Sequence, residues 1–167
     1  MRIFGFPAIV TTNSKILVLG TIPGNESIKR GEYYANSRNQ FWFIMGEICD
    51  AKPQLSYLQR KVKIEESGIA VWDVLKSCVR SGSSDKSITS PQPNDFRSFF
   101  LLHPAICAIL FNGNRARKYF SKRVIPQLDS NLSNLILITL PSTSSTNTTK
   151  NKNAKLHEWQ EAISHLL

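Results

Sequence analysis

Four short runs of β-branched and aliphatic residues punctuate the chain, at residues 16–19, 69–74, 106–111 and 135–140. Each reads as a buried strand. Between them, apolar residues recur at helical spacing over 41–49, 55–64, 94–102 and 115–120, and a last such stretch runs over 154–167. Strands that alternate with helices predict an α/β fold whose parallel sheet is covered on both faces. In such sheets ligands bind beyond the carboxyl ends of the strands. The residues that follow the runs are therefore the first candidates for chemistry, and all of them are polar or glycine-rich. They are Gly20-Thr21-Ile22-Pro23-Gly24-Asn25-Glu26-Ser27, the strand-terminal Asp73, Asn112-Gly113-Asn114, and the segment 141–153.

The length of 167 residues fits one domain over 1–167, and a chain of this size buries roughly 70% of its unfolded surface. What changes the picture is charge. Lys and Arg total 21 against 12 Asp and Glu, a formal net charge of +9, which makes a polyanionic partner such as nucleic acid a serious expectation. Cys49, Cys78 and Cys107 are an odd set without C-x-x-C spacing, and His103, His157 and His165 lie far apart. Neither disulfides nor a metal is expected, and a reducing, cytoplasmic setting is. The apolar stretch within residues 1–10 is broken by Gly5 and Pro7, unlike a signal peptide. No apolar run reaches the roughly 18 residues of a membrane span.

The first loop contains glycines but neither G-x-x-x-x-G-K-[ST] nor G-x-G-x-x-G, so nucleotide-triphosphate and dinucleotide sites lose their usual signatures. Its glycines permit close backbone approach. The segment Tyr33-Tyr34-Ala35-Asn36-Ser37-Arg38-Asn39-Gln40-Phe41-Trp42 mixes aromatic and polar residues just before an apolar helix. Phe41 and Trp42 are expected in the core, with Ser37 or Asn39 as a helix cap. Residues 142–153 are almost wholly Ser, Thr, Asn and Lys, yet they lie between a strand and a helix, so an ordered or binding-ordered loop is expected rather than a linker.

Three of these segments together, Gly20-Thr21-Ile22-Pro23-Gly24, Tyr34-Ala35-Asn36-Ser37-Arg38-Asn39-Gln40-Phe41-Trp42 and Leu140-Pro141-Ser142-Thr143-Ser144, resemble the hypoxanthine-DNA glycosylases, a branch of the uracil-DNA glycosylase superfamily. The likeness extends to Gly68-Ile69-Ala70-Val71-Trp72-Asp73-Val74-Leu75, Pro93-Asn94-Asp95-Phe96 and Phe111-Asn112-Gly113, in the expected order. It implies a three-layer α/β/α sandwich around a central, mainly parallel four-stranded sheet. It also implies a monomeric enzyme, without cofactor or metal, acting on double-stranded DNA that carries a deaminated base, which is flipped out of the stack.

Carried over residue by residue, the resemblance makes Tyr34 the aromatic that stacks on the flipped base, with Gly20, Thr21, Ile22, Asp73 and Asn112 lining the same pocket. Many relatives carry Asp or Asn where this chain has Ile22, and an isoleucine cannot orient water; the candidate becomes Asn39. An amide is no general base near neutral pH, so Asn39 only positions water and stabilises the charge growing on the sugar. Asp73, as an ionised acceptor, is expected to read the N1–H of hypoxanthine. Ser27, Arg38, Ser142, Thr143, Ser144, Lys150 and Lys152 are expected at the DNA backbone, with Lys155 extending that contact. The chain departs from the family in having Asn36-Ser37 where His-Pro is common, and Ser144-Ser145-Thr146-Asn147-Thr148 where Ser-Pro-Ala-Asn-Ala is common. Two rival readings stay open here: uracil or mismatch excision, and a silent DNA-binding protein that kept the groove but lost catalysis at Ile22.

Overall fold

Along the strand Ile16–Gly20, successive side chains part to two separate cores. Leu17 and Leu19 pack with Ala70, Ile109 and Phe111 on one face of the sheet, whereas Ile16 and Val18 pack with Ile69, Val71 and Leu110 on the other. This is why the runs are continuously apolar: a strand covered on both faces has no solvent side. The computed structural model describes residues 1–128 and 134–167. Its strands there are β1 (Arg2–Phe4), β2 (Ile16–Gly20), β3 (Ile69–Asp73), β4 (Leu75–Val79), β5 (Thr89–Pro93), β6 (Ala108–Asn112) and β7 (Ile136–Leu140). The helices are α1 (Asn25–Arg30), α2 (Phe41–Cys49), α3 (Tyr57–Glu66), α4 (Phe96–Leu102), α5 (Asn114–Arg123) and α6 (Lys152–Ser164).

The four strands read from the sequence form one parallel sheet in the order β3-β2-β6-β7. Phe96, Phe99 and Phe100 of α4 and Ala116 and Phe120 of α5 cover one face. Phe41, Trp42, Ile44 and Met45 of α2, Ile64 of α3, and Trp159 and Ile163 of α6 cover the other. The expected three-layer α/β/α arrangement is thus present, and each large side chain so buried contributes about 1.5–3 kcal/mol. Phe41 and Trp42 are core residues, as expected, at 0% and 5% exposure.

A second, antiparallel sheet in the order β1-β4-β5 was not expected. Its pattern is hidden because β1 has three residues, β4 mixes Lys76 and Ser77 with apolar positions, and β5 carries Pro91 and Pro93, which confine it to an edge. The chain passes from β3 into β4 across Val74, so the two sheets meet beside the end of β3. Val74 and Leu75 donate their N–H groups to the carbonyls of Gly20 and Thr21, which ties the glycine loop to this junction.

Candidate active site

The parallel register sets Gly20 of β2 opposite Asp73 of β3, while β6 delivers Asn112 on the other side of β2. Three of the expected pocket residues therefore stand at neighbouring strand ends. At Gly20 a Cβ atom would lie 2.4 Å from Asp73 Oδ1 and 3.0 Å from the Tyr34 hydroxyl. Any larger residue here would have to displace the Asp73 carboxyl, and Tyr34 reaches over the strand termini.

Tyr34 gets there through a left-handed backbone, with φ of 54°, a conformation disfavoured for a bulky residue and sustained only by its surroundings. The preceding residue is held firmly. The Tyr33 hydroxyl donates to the carbonyl of Phe6 or Pro7, each at 3.2 Å, and the Tyr33 carbonyl accepts from Trp42 Nε1 at 2.8 Å. The Tyr34 ring is half-buried and stacks on Phe41 at a centroid distance of 4.0 Å. Burial, reinforced by the charge of Asp73, holds its phenol above the ordinary range, so it stays protonated.

Asp73 is 3% exposed, and among the described residues its Oδ2 has no hydrogen-bond partner; neither has the Tyr34 hydroxyl. Burial raises the carboxyl to about 8, helped by the charge of Asp85 and opposed by Arg80. Near pH 7 the neutral form therefore predominates, and a neutral carboxyl both donates and accepts, where the sequence reading expects an ionised acceptor.

Asn39 precedes α2, whose N-cap is Gln40 and not the expected Ser37 or Asn39; its Oδ1 accepts from the Phe41 N–H at 2.9 Å. It is half-buried, so this bond leaves the remaining lone pair and the Nδ2 group for other partners. Asn112 grips the loop after β7: its Oδ1 accepts from the Thr143 N–H at 2.8 Å and its Nδ2 donates to Thr143 Oγ1 at 2.9 Å. The Thr143 carbonyl in turn accepts from the Gln40 N–H at 2.9 Å, joining this loop to the Asn39 segment. Residues 142–149 are thus an ordered loop, with Ser144 Oγ bonded to Thr146 Oγ1 and Asn147 Oδ1 accepting from Thr149.

Several expected DNA contacts are placed otherwise. Ser27 is 6% exposed and its hydroxyl accepts from the Ala35 N–H, and Thr143 is fully buried; both hold loops rather than face a phosphate. Lys155 is also fully buried and donates to the Asn147 carbonyl at 2.7 Å. Lys150 pairs with Glu158, and the Lys152 ammonium lies 3.5 Å from the centroid of the Phe43 ring. Arg38 is exposed, and Ser142 and Ser144 are half-exposed. Ile22, at 7% exposure, packs into the core cluster of Leu19 and Phe111 instead of offering its side chain to the pocket.

Arg80 and Asp85 were not anticipated. Arg80 is 4% exposed; it donates from Nη2 to the Pro23 carbonyl at 2.6 Å and from Nε to the Gly82 carbonyl at 2.8 Å. Its Nη1 lies 3.7 Å from Asp85 Oδ1, and the Asp85 carbonyl accepts from Arg115 Nη1 at 3.2 Å. These bonds fold the segment after β4 over the glycine loop. The only sequence signal was a lone Arg and Asp in a serine-rich turn, which does not tell a clamp from solvated surface. Among the described residues no three His, Cys, Asp or Glu side chains gather as a metal site, and no helix is long and apolar enough to cross a membrane.

The family model of the uracil DNA glycosylase superfamily matches residues 7–166. A hypoxanthine DNA glycosylase of Methanosarcina acetivorans is 37% identical over 69% of this chain and 73% of its own length. One from Methanosarcina barkeri is 33% identical over 71% of this chain and 76% of its own. Among solved structures, the solution NMR structure of a candidate uracil DNA glycosylase from Methanosarcina acetivorans superposes with a TM-score of 0.81 at 32% identity, covering 99% of each chain.

Proposed function

The chain belongs to the uracil DNA glycosylase superfamily, and on that premise we propose that it releases hypoxanthine from DNA by hydrolysing the bond between base and deoxyribose. The observation that carries this reading is the meeting of two buried, unpartnered polar groups, Asp73 Oδ2 and the Tyr34 hydroxyl, beside Gly20 at the strand ends. Unsatisfied buried atoms cost about 1–3 kcal/mol each. A polar ligand in their midst removes that cost.

A nucleobase swung out of the duplex lodges against Tyr34, a stacking contact worth about 1–3 kcal/mol. Hypoxanthine then presents an O6 acceptor and an N1–H donor to Asp73. The neutral carboxyl would also match adenine, by exchanging the two bonds. Once ionised it only accepts: the N1–H of hypoxanthine donates to it while O6 is left to a backbone N–H of the glycine loop, and adenine, with N1 an acceptor and N6 a donor, mismatches both. Asn39 positions the attacking water and its amide dipole steadies the cationic sugar, while Phe41 holds that amide in place. Arg38, Ser142 and Ser144, exposed or half-exposed, are the groups assigned to the backbone of double-stranded DNA in this reading, with Asn112 and Thr143 fixing the loop that carries the serines. Three free cysteines suit a reducing, cytoplasmic setting, and the reading needs only a monomer.

Duplexes carrying inosine, uracil or no lesion, incubated with wild type and Asn39→Ala, test this reading. Hypoxanthine release from the inosine duplex is expected, with single-turnover rates about a hundredfold or more lower in Asn39→Ala. Uracil presents the same acceptor-and-donor edge, so release of uracil alone would refute the purine assignment of Asp73.

A further inference from the structure

Hydrolysis forms a proton at the attacking water, and nothing placed at the site so far can take it. Ile22 is apolar, Asn39 is an amide, Tyr34 stays protonated, and Asp73 is enclosed and neutral near pH 7. Among the described residues, one carboxylate remains within electrostatic reach of both Asp73 and Tyr34. It is Asp85, carried by the turn Asp85–Ser87 that follows β4. Its side chain is 31% exposed, so water reaches it, and the Thr21 side chain of the glycine loop lies near enough to favour its carboxylate form. Arg80, anchored on the Pro23 carbonyl, and Arg115, bonded to the Asp85 carbonyl, hold the turn against that loop. The Arg80–Asp85 pair stands at 3.7 Å without closing to a hydrogen bond, which leaves the carboxylate free to accept from water.

We propose that Asp85 is the general base of this enzyme, supplying from the second sheet the carboxylate that the glycine loop lacks at Ile22. The water oxygen bonds to C1′ of the deoxyribose as the bond from C1′ to the base nitrogen breaks. The electron pair of that bond leaves on the base, which takes a proton from solvent. The proton of the water passes to Asp85, which later returns it to solvent, so atoms and charge balance without a cofactor. The groups that face Asp85 set its working range: burial favours the protonated carboxyl, Thr21, Arg80 and Arg115 favour the carboxylate, burial dominates, and the neighbouring Asp73 is still neutral there. The pH at which it becomes competent therefore lies above that of an ordinary aspartate.

This inference rests on the base-pocket reading, and its test keeps the two apart. Single-turnover release of hypoxanthine from an inosine duplex is measured across pH for wild type, Asp85→Asn and Asp85→Ala, alongside DNA affinity and thermal unfolding. Wild-type rates should rise through the titration of Asp85 and then level. Asp85→Asn should be slower by about a hundredfold or more with that rise abolished, at unchanged affinity for the duplex. Added formate, a small carboxylate, should restore part of the rate to Asp85→Ala and none to Asn39→Ala. Wild-type rates and pH profile in Asp85→Asn would overturn the proposal and leave the pocket reading standing. So would a loss of rate that follows weakened DNA binding or lowered stability and that formate does not rescue. A wild type that releases no base at all overturns the pocket reading, and this proposal with it.

Discussion

Replacing Asp73 by asparagine keeps the shape of the side chain but removes its proton, and the structure says what that does to stability. The folded carboxyl titrates near 8 against an ordinary 3.8, because burial disfavours the charged form. A folded pKa raised in this way contributes stability fully present below the unfolded value and lost as pH rises through the folded one. Between pH 5 and pH 7 the unfolded chain has given up this proton and the folded chain has not. Stability should then fall by about 1.4 kcal/mol per pH unit, roughly 2.7 kcal/mol over the interval, from this group alone. The introduced asparagine does not titrate, and every other group is common to both proteins. In urea titrations at pH 5, 6 and 7, the stability of Asp73→Asn relative to wild type should climb by that amount as pH rises. Parallel curves for the two proteins would refute the claim that Asp73 is buried and neutral.

Gly20→Ala places a Cβ 2.4 Å from Asp73 Oδ1; it should cost about 1–3 kcal/mol in urea unfolding by overpacking, with loss of base release. Asn112→Ala leaves the Thr143 N–H without its partner, so stability should fall by about 1–3 kcal/mol and DNA affinity should weaken as the loop loosens, read by thermal unfolding and fluorescence anisotropy. Arg38→Ala should lower affinity for damaged and undamaged duplexes alike and flatten the salt dependence of binding by about one phosphate contact, whereas Lys155→Met should leave that salt slope unchanged, because its ammonium is bonded within the protein.

The central sheet was legible because β2, β3 and β6 are buried on both faces and stand out, with the partly exposed edge strand β7, as apolar runs; the structure moves their ends by one or two residues, as at β6, which begins at Ala108 instead of residue 106. The strand-end site followed from the same fact, since a parallel sheet gathers whatever lies after each run. What stayed hidden depends on contacts between distant segments. The antiparallel sheet has short, proline-bearing strands without alternation, and α1 is six residues capped by Gly31 with a φ of 67°. Arg80 and Asp85 gain meaning only once the turn after β4 folds onto Pro23 and Thr21. The lysines show the converse: Lys150 and Lys155 look like a basic patch in the sequence, but Lys150 is paired with Glu158 at the surface and Lys155 is enclosed against Asn147. Burial likewise favours the neutral form of Asp73, where residue type alone assigns the carboxylate.

Base release differs from every rival activity in the bond that is cut. The most direct measurement is to incubate an inosine-containing duplex with the pure protein and identify by mass spectrometry both the small product and the strand it came from. Free hypoxanthine together with an unbroken strand bearing one abasic site is the predicted result. A strand cut at a phosphodiester with inosine still attached, or a bound duplex returned unchanged, would contradict it.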